Sequence, residues 1–235
     1  INRGGSGLKY DSVYVFEGKE DEKSRSFGNI HPPKKDHYVF EGYFEKNTQI
    51  FDKDGVLLKV PDGTDVYAKW TPEVYQVSFR NNQNTNVQNE EHSYQEVFSP
   101  NLPENFYPTI GYKLIRWEKY SMNANGEAVG EPEKLEPETT MTVDCNSIFK
   151  AILEPITYTV SFDANGGEVK DAELPNTFDK DYSLTTASRY GYTFDGWYTA
   201  KNGGTKVTED TQMTRAENHT LYAHWTAKSH KVVFD

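Results

Sequence analysis

One pattern of residues recurs three times along the chain, which restricts it to a series of related units rather than one irregular body. The last copy is the clearest. Tyr158-Thr159-Val160-Ser161-Phe162 leads into Asp163-Ala164-Asn165-Gly166-Gly167. Gly191-Tyr192-Thr193-Phe194-Asp195-Gly196-Trp197-Tyr198 follows, and Leu221-Tyr222-Ala223-His224-Trp225-Thr226 closes the unit. The first copy has Val13-Tyr14-Val15-Phe16, Tyr38-Val39-Phe40-Glu41-Gly42-Tyr43-Phe44 and Val66-Tyr67-Ala68-Lys69-Trp70-Thr71. Tyr38 precedes Trp70 by 32 positions and Tyr192 precedes Trp225 by 33, so two independent anchors agree within one residue.

The middle copy opens with Gln76-Val77-Ser78-Phe79, continues with Gly111-Tyr112-Lys113-Leu114-Ile115-Arg116-Trp117-Glu118, and closes with Ile148-Phe149-Lys150-Ala151-Ile152. Its spacing, 40 positions from Tyr112 to Ile152, is longer. The surplus lies in residues 122–140, where Glu127, Glu131, Glu133, Glu136 and Glu138 with Pro132 and Pro137 read as an enlarged acidic loop. The expected layout is a linker or scar at 1–7, repeats at 8–73, 74–156 and 157–228, and the start of a fourth at 229–235 around Lys231-Val232-Val233-Phe234. With no apolar stretch in residues 1–10 to serve as a signal peptide, the chain reads as an internal piece of a longer one, with more repeats following.

Alternation of apolar and polar residues marks strands. Leu221, Ala223 and Trp225 share one face, and Val66, Ala68 and Trp70 match them. Tight turns are expected at Asn165-Gly166, Asn202-Gly203, Asp54-Gly55, Asp62-Gly63 and Asn125-Gly126. Gly42 and Gly196 fall where the apolar parity switches, the mark of a bulge; Arg116 stands there in the middle copy, whose bulge is therefore different or absent. Helical signal is poor, with only residues 184–189 and 100–106 as short candidates.

Composition narrows the chemistry. Apolar residues make up 35% and aromatics 14%, so the cores must be built largely from rings. A net charge of −11, with no basic run longer than Lys34-Lys35, argues against nucleic acid and against a polybasic membrane patch. No stretch approaches the roughly 18 apolar residues of a membrane span, so no insertion is expected within this segment. The single cysteine, Cys145, precludes an intrachain disulfide and is expected to be inert.

The third copy as a whole, and the first in its latter half, resemble the Listeria-Bacteroides repeat, or internalin-type B repeat. The middle copy departs from the pattern at Arg116, at the missing Asn-Gly-Gly and at the missing closing tryptophan. The resemblance implies a β-rich α+β fold, in which small β-grasp-like, ubiquitin-related modules lie end to end. It further implies a place in secreted or wall-attached bacterial proteins, as stalks or as weak adhesive and protein-binding surfaces.

No catalytic motif stands out. There is no Gly-x-Ser-x-Gly elbow, Gly4-Gly5-Ser6-Gly7 being a flexible linker, and no deep cleft for a carboxylate pair is expected in units this small. His31, His37, His92, His219, His224 and His230 show no ligand spacing, so they are expected to be exposed or lightly packed, with no metal or cofactor. Asp52-Lys53-Asp54-Gly55 starts like a calcium loop but lacks the later ligands, and Asn218-His219-Thr220 is a glycosylation sequon that matters only in a eukaryotic secretory context. Trp70 and Trp225 are expected in the core by strand parity, Trp117 and Trp197 less firmly; tryptophans facing outward in a row would instead stack on sugar rings.

The expected role is that of a non-catalytic spacer and interaction segment at a bacterial surface. It would be a monomeric elongated rod whose partner is a host or bacterial surface protein or a glycan. The alternative is a carbohydrate-binding module or an accessory region of a secreted carbohydrate-active enzyme. No residues are assigned to a binding face.

Overall fold

The computed structural model describes residues 14–16, 25–27, 32–63, 65–81, 85–103, 106 and 110–233. Strands β1 (Tyr14–Phe16) and β2 (Arg25–Phe27) form a short antiparallel ladder. They are followed by β3 (Tyr38–Glu45), β4 (Thr48–Phe51) and β5 (Tyr67–Pro72), which make an antiparallel sheet of order β4-β3-β5. The second unit holds β6 (Val74–Arg80), β7 (Asn86–Ser93), β8 (Val97–Phe98), β9 (Tyr112–Met122), β10 (Ala128–Leu135), β11 (Met141–Thr142) and β12 (Ser147–Pro155). The third holds β13 (Thr157–Asp163), β14 (Glu168–Val169), β15 (Glu173–Thr177), β16 (Ala187–Ser188), β17 (Tyr192–Tyr198), β18 (Lys206–Val207) and β19 (His219–Ala227).

The second and third units share one sheet order, β7-β6-β12-β9-β10 and β15-β13-β19-β17-β18. In each, the closing strand (β12 or β19) lies at the centre. It runs parallel to the opening strand and antiparallel to the strand after the Gly-Tyr turn. The middle copy, for all its departures, therefore keeps the sheet of the third.

The α+β, β-grasp-like expectation is overturned: no helix occurs among the described residues, and the units are all-β. A parallel pair needs a crossover connection, and a helix is the usual carrier. Here the described residues of the crossovers carry no helix and are tacked down by the two-residue ladders β8–β11 and β14–β16. Residues 184–189, one of the two short helical candidates, contain β16 instead. The physical reason lies in side chains that compete for the backbone. Asn176 accepts from Ser183 N (2.6 Å) and donates to Ser183 O (3.3 Å), and Thr185 offers its carbonyl to the Trp197 indole (2.8 Å). In the other candidate, the described residues 100–103 and 106 are irregular. The expected acidic loop is not a loop either: β9 runs on to Met122 and pairs with β10, which carries Glu131 and Glu133, as a hairpin.

The bulge recurs in all three units, with ladder registers stepping from Phe40 to Gly42, from Leu114 to Arg116 and from Phe194 to Gly196. Gly42 (φ 138°) and Gly196 (φ 128°) need the positive φ, whereas Arg116 achieves the step without it. The step turns residues 43, 117 and 197 inward, so that Tyr43 pairs with Ala68, Trp117 with Ala151 and Trp197 with Ala223. Trp117, Trp197 and the three alanines are all at most 3% exposed, each ring lying over a methyl on the closing strand. Each buried ring removes roughly 150–250 Å² from water, about 4–6 kcal/mol gross at about 25 cal/mol per Å².

Separate clusters form around these pairs. Phe79, Phe98, Phe149 and Trp117 pack in the second unit, Phe162, Trp197, Met213 and Leu221 in the third, and Tyr43, Ile50 and Phe51 in the first. The expected opening strand of the first repeat, apart from residues 14–16, falls outside the described residues, as do residues 1–7 and His31.

Enlarging the small partner tests the arrangement. Ala151→Leu and Ala223→Leu are each expected to cost about 1–3 kcal/mol by overpacking the indole, read from amide hydrogen exchange in the closing strand. Exchange rates unchanged from the parent would show that the ring does not depend on an alanine beneath it.

Candidate functional site: the joints between repeats

The links between units are short because each closing strand runs almost directly into the next opening strand, with Pro72 and Pro155 near the crossing. Two joints result, and they are built alike. In the first, His37 sits at positive φ (65°) in the turn before Tyr38, and its carbonyl accepts from Glu73 N (2.9 Å). Glu73 O in turn accepts from Tyr94 N (2.8 Å). The Tyr94 ring lies flat on the His37 imidazole (4.3 Å, 11°) and edge-on to Tyr38 (5.5 Å, 78°).

In the second joint Gly111 (φ 79°) takes the place of His37, and its carbonyl accepts from Ile156 N (2.8 Å). Ile156 O accepts from Phe178 N (2.9 Å). The Phe178 ring stands edge-on to Tyr112 (5.6 Å, 76°) and fills the space where a Gly111 side chain would be, 2.4 Å from an ideal Cβ. The Tyr112 hydroxyl also bonds the Asp179 carboxylate across the joint. Each joint thus couples a turn in one unit to an aromatic just past the second hairpin strand of the next.

The first joint carries additional polar groups. Burial, aided by neighbouring Glu73, holds the Tyr75 phenol well above its ordinary pKa, so it stays protonated and donates to Glu73 Oε2 (2.7 Å). With that proton engaged, His37 Nδ1 donates to the phenol oxygen (2.7 Å). Beside this chain runs a groove lined by Pro33, Lys35, Phe40, Trp70, Glu73 and Tyr75, with Lys35 Nζ held over the Tyr38 ring (3.6 Å).

The other candidate residues hold the fold. Trp117 and Trp197 are the fully buried tryptophans, while Trp70 and Trp225 are half-buried at the rims of their clusters, the reverse of the order expected from parity. The bulge explains it, by carrying residues 117 and 197 to the inner face. Trp225 donates to Ala164 O (2.9 Å). The rim position in the second unit, opposite Leu114, is Leu153 rather than Ile152.

His219 is buried between Tyr182 Oη and Glu217 O, both at 2.9 Å; His224 bonds Ala200 O (3.0 Å) and stacks on Tyr198 (3.9 Å). Asp52 Oδ1 caps its own turn through Asp54 N (2.9 Å) and Val56 N (2.8 Å), as ordinary turn chemistry would have it. Cys145 is partly buried, its thiol against Asp144 Oδ1 (3.3 Å). His230 is exposed.

Asn146 and Asn218 form an equivalent pair that sequence reasoning missed. Their Oδ1 atoms accept from Gln76 N (2.7 Å) and Thr159 N (2.8 Å), tying closing to opening strand. Among the described residues no group of three or more His, Cys, Asp or Glu could hold a metal ion, and no helix is long and apolar enough to cross a membrane.

Residues 158–224 match the Listeria-Bacteroides repeat domain. The chain is similar, at 29% identity over 87% of its length, to a protein of Evansella cellulosilytica provisionally named a membrane protein. It is also 29% identical, over 86% of its length, to a second protein of that bacterium, provisionally named a Gly-rich membrane protein. Internalin H of Listeria monocytogenes is 40% identical over 36% of the chain. The matches span 29%, 22% and 15% of these relatives' own lengths. The chain is thus a repeat-bearing segment similar to bacterial proteins named for the membrane and to an internalin.

The His92 ring offers a pH test of the second unit. Burial opposes its charge, but hydrogen bonds to Glu96 and Glu90, both at 3.0 Å, outweigh burial and raise its pKa above 6.5. Phe98 packs against its face (4.6 Å). A raised folded-state pKa stabilises fully below the unfolded value and loses that contribution as pH rises through the folded value. The stability advantage of the parent over His92→Gln is expected to be full below the ordinary histidine range and to shrink as pH rises through and beyond it, followed by exchange of the β7 amides. An advantage constant across that range would mean the ring is not charged in the fold.

Proposed function

We propose that this chain is a non-catalytic spacer and interaction segment of a bacterial surface protein, extracellular or attached to the cell wall, whose repeats hold one another in a monomeric elongated rod. The observation that carries the reading is the joint, built twice from the same turn, the same backbone bonds and an aromatic of the next unit. A link made this way transmits orientation along the chain, as a spacer requires. The side chains best suited to chemistry, His92, His219, Asp52 and Asn218, are engaged in holding strands and turns. The relatives named for the membrane and as an internalin support the surface location.

Small-angle scattering of the 235-residue chain is expected to give a radius of gyration well above the about 18 Å of a single compact domain of this length. A value near about 18 Å would overturn the rod.

The groove of the first joint favours a second reading, glycan binding: Phe40 and Trp70 offer apolar ring surface beside the polar Glu73 and Tyr75. Trp117 and Trp197 are sealed in cores, so an emission change on adding polysaccharide would come from Trp70 or Trp225. It is expected to vanish in Trp70→Phe. A signal that persists in that variant, or none in the parent, removes this reading.

A further inference from the structure

The receiving half of the joint occurs a third time. Tyr192 N donates to Arg189 O (3.2 Å), as Tyr38 N does to Lys35 O (3.2 Å), and Gly191 has the positive φ (76°) of His37 and Gly111. Lys228 N donates to Gly191 O (2.8 Å), repeating the bonds from Glu73 to His37 and from Ile156 to Gly111. The Arg189 guanidinium lies over the Tyr192 ring (3.9 Å), as Lys35 lies over Tyr38.

What differs is the occupant. The space beside Gly111 is filled by Phe178 and the face of His37 by Tyr94, whereas a Cβ at Gly191 would meet nothing within 4 Å. A second observation points the same way. Val232 is 69% exposed and Val233 72%, whereas Val77 and Val160, which hold the place of Val232 in the earlier opening strands, are 1% and 0% exposed.

We propose that Gly191, Tyr192 and Lys228 form a receiving surface for a further repeat joined in cis through residues 229–233. It takes the aromatic side chain that directly follows the second strand of that repeat's hairpin. The two filled joints supply the geometry: the incoming aromatic donates its backbone N–H to the Lys228 carbonyl, lays its ring over Gly191 and meets the edge of Tyr192. Continuity from Lys228 into residues 229–233 places the hairpin, which a second copy approaching from solution would lack. The proposal concerns local geometry and does not depend on the spacer reading.

The test extends the chain after Val233 with residues 79–156, so that Val232 and Val233 take the places of Val77 and Ser78 and a second copy of Tyr94 reaches the surface. Glycine-labelled NMR is expected to show an upfield ring-current shift of the Gly191 Hα resonances. The shift is lost when Tyr94→Ala is made in the appended copy alone, while the appended Trp117 indole signal stays dispersed. Residues 162–228, which bring Phe178, are appended in the same way as a second version. Unmoved Gly191 resonances beside a folded appended repeat would overturn the proposal, as would failure of both versions to fold. A Gly191 shift in the unextended chain that grows with protein concentration would overturn it in favour of a second copy.

Discussion

A large ring over a small one-carbon side chain, repeated across the bulge, is the contact the rest of the molecule depends on. Tyr43 over Ala68, Trp117 over Ala151 and Trp197 over Ala223 occupy one position in three sheets. Protein interiors are close-packed, so a buried indole paired with an alanine on the closing strand leaves little room for a larger neighbour there. The bulge is what makes this geometry available. Without the extra residue at Glu41, Ile115 or Asp195, ordinary alternation would turn the same ring to the outer face. The rims follow from it: Phe40 packs against Trp70, and Phe194 against Trp225, both at 5.3 Å.

The same economy governs the links. Because the next opening strand follows each closing strand almost at once, the turn before the bulged strand of one unit is carried up against the hairpin of the next. An aromatic at the hairpin end then meets the turn residue whose positive φ leaves its carbonyl free for the joint. His37 and Gly111 solve the same backbone problem differently, one stacking on Tyr94 and the other making room for Phe178. The middle unit shows how much variation the frame absorbs. It lacks the bulge glycine and the rim tryptophan and it gains a longer outer hairpin, yet its strand order is that of the third.

Much of this was legible in the residues. Strand parity in Leu221-Tyr222-Ala223-His224-Trp225, the turn dipeptides and the glycines at the parity switch all depend on local rules; the bulges at Gly42 and Gly196 and the turns at Gly55, Gly126, Gly166 and Gly203 stand where those rules put them, whereas Gly63 lies in a bend without a positive φ. The helix implied by family resemblance was absent because Asn176, Ser183 and Thr185 bind the crossover backbone in extended form, which becomes visible only when those atoms are neighbours. The acidic segment reads as a loop because its glutamates carry no apolar alternation. β10 is an outer strand whose exposed face needs none.

The order of burial among the tryptophans was inverted for a related reason. Parity counted along one strand cannot say how far a bulge rotates the next residue, and the step at Gly196 brings Trp197 to the inner face opposite Ala223. By itself, then, the sequence carried the ring-built interiors and the places where the backbone must bend, since these are set by spacing and by side-chain chemistry within a few residues. Tertiary structure alone decided which ring is central, that the described crossover residues form no helix, and that Tyr94 and Phe178 lock one unit to its neighbour. Those outcomes depend on contacts between residues tens of positions apart, whose geometry no local pattern encodes.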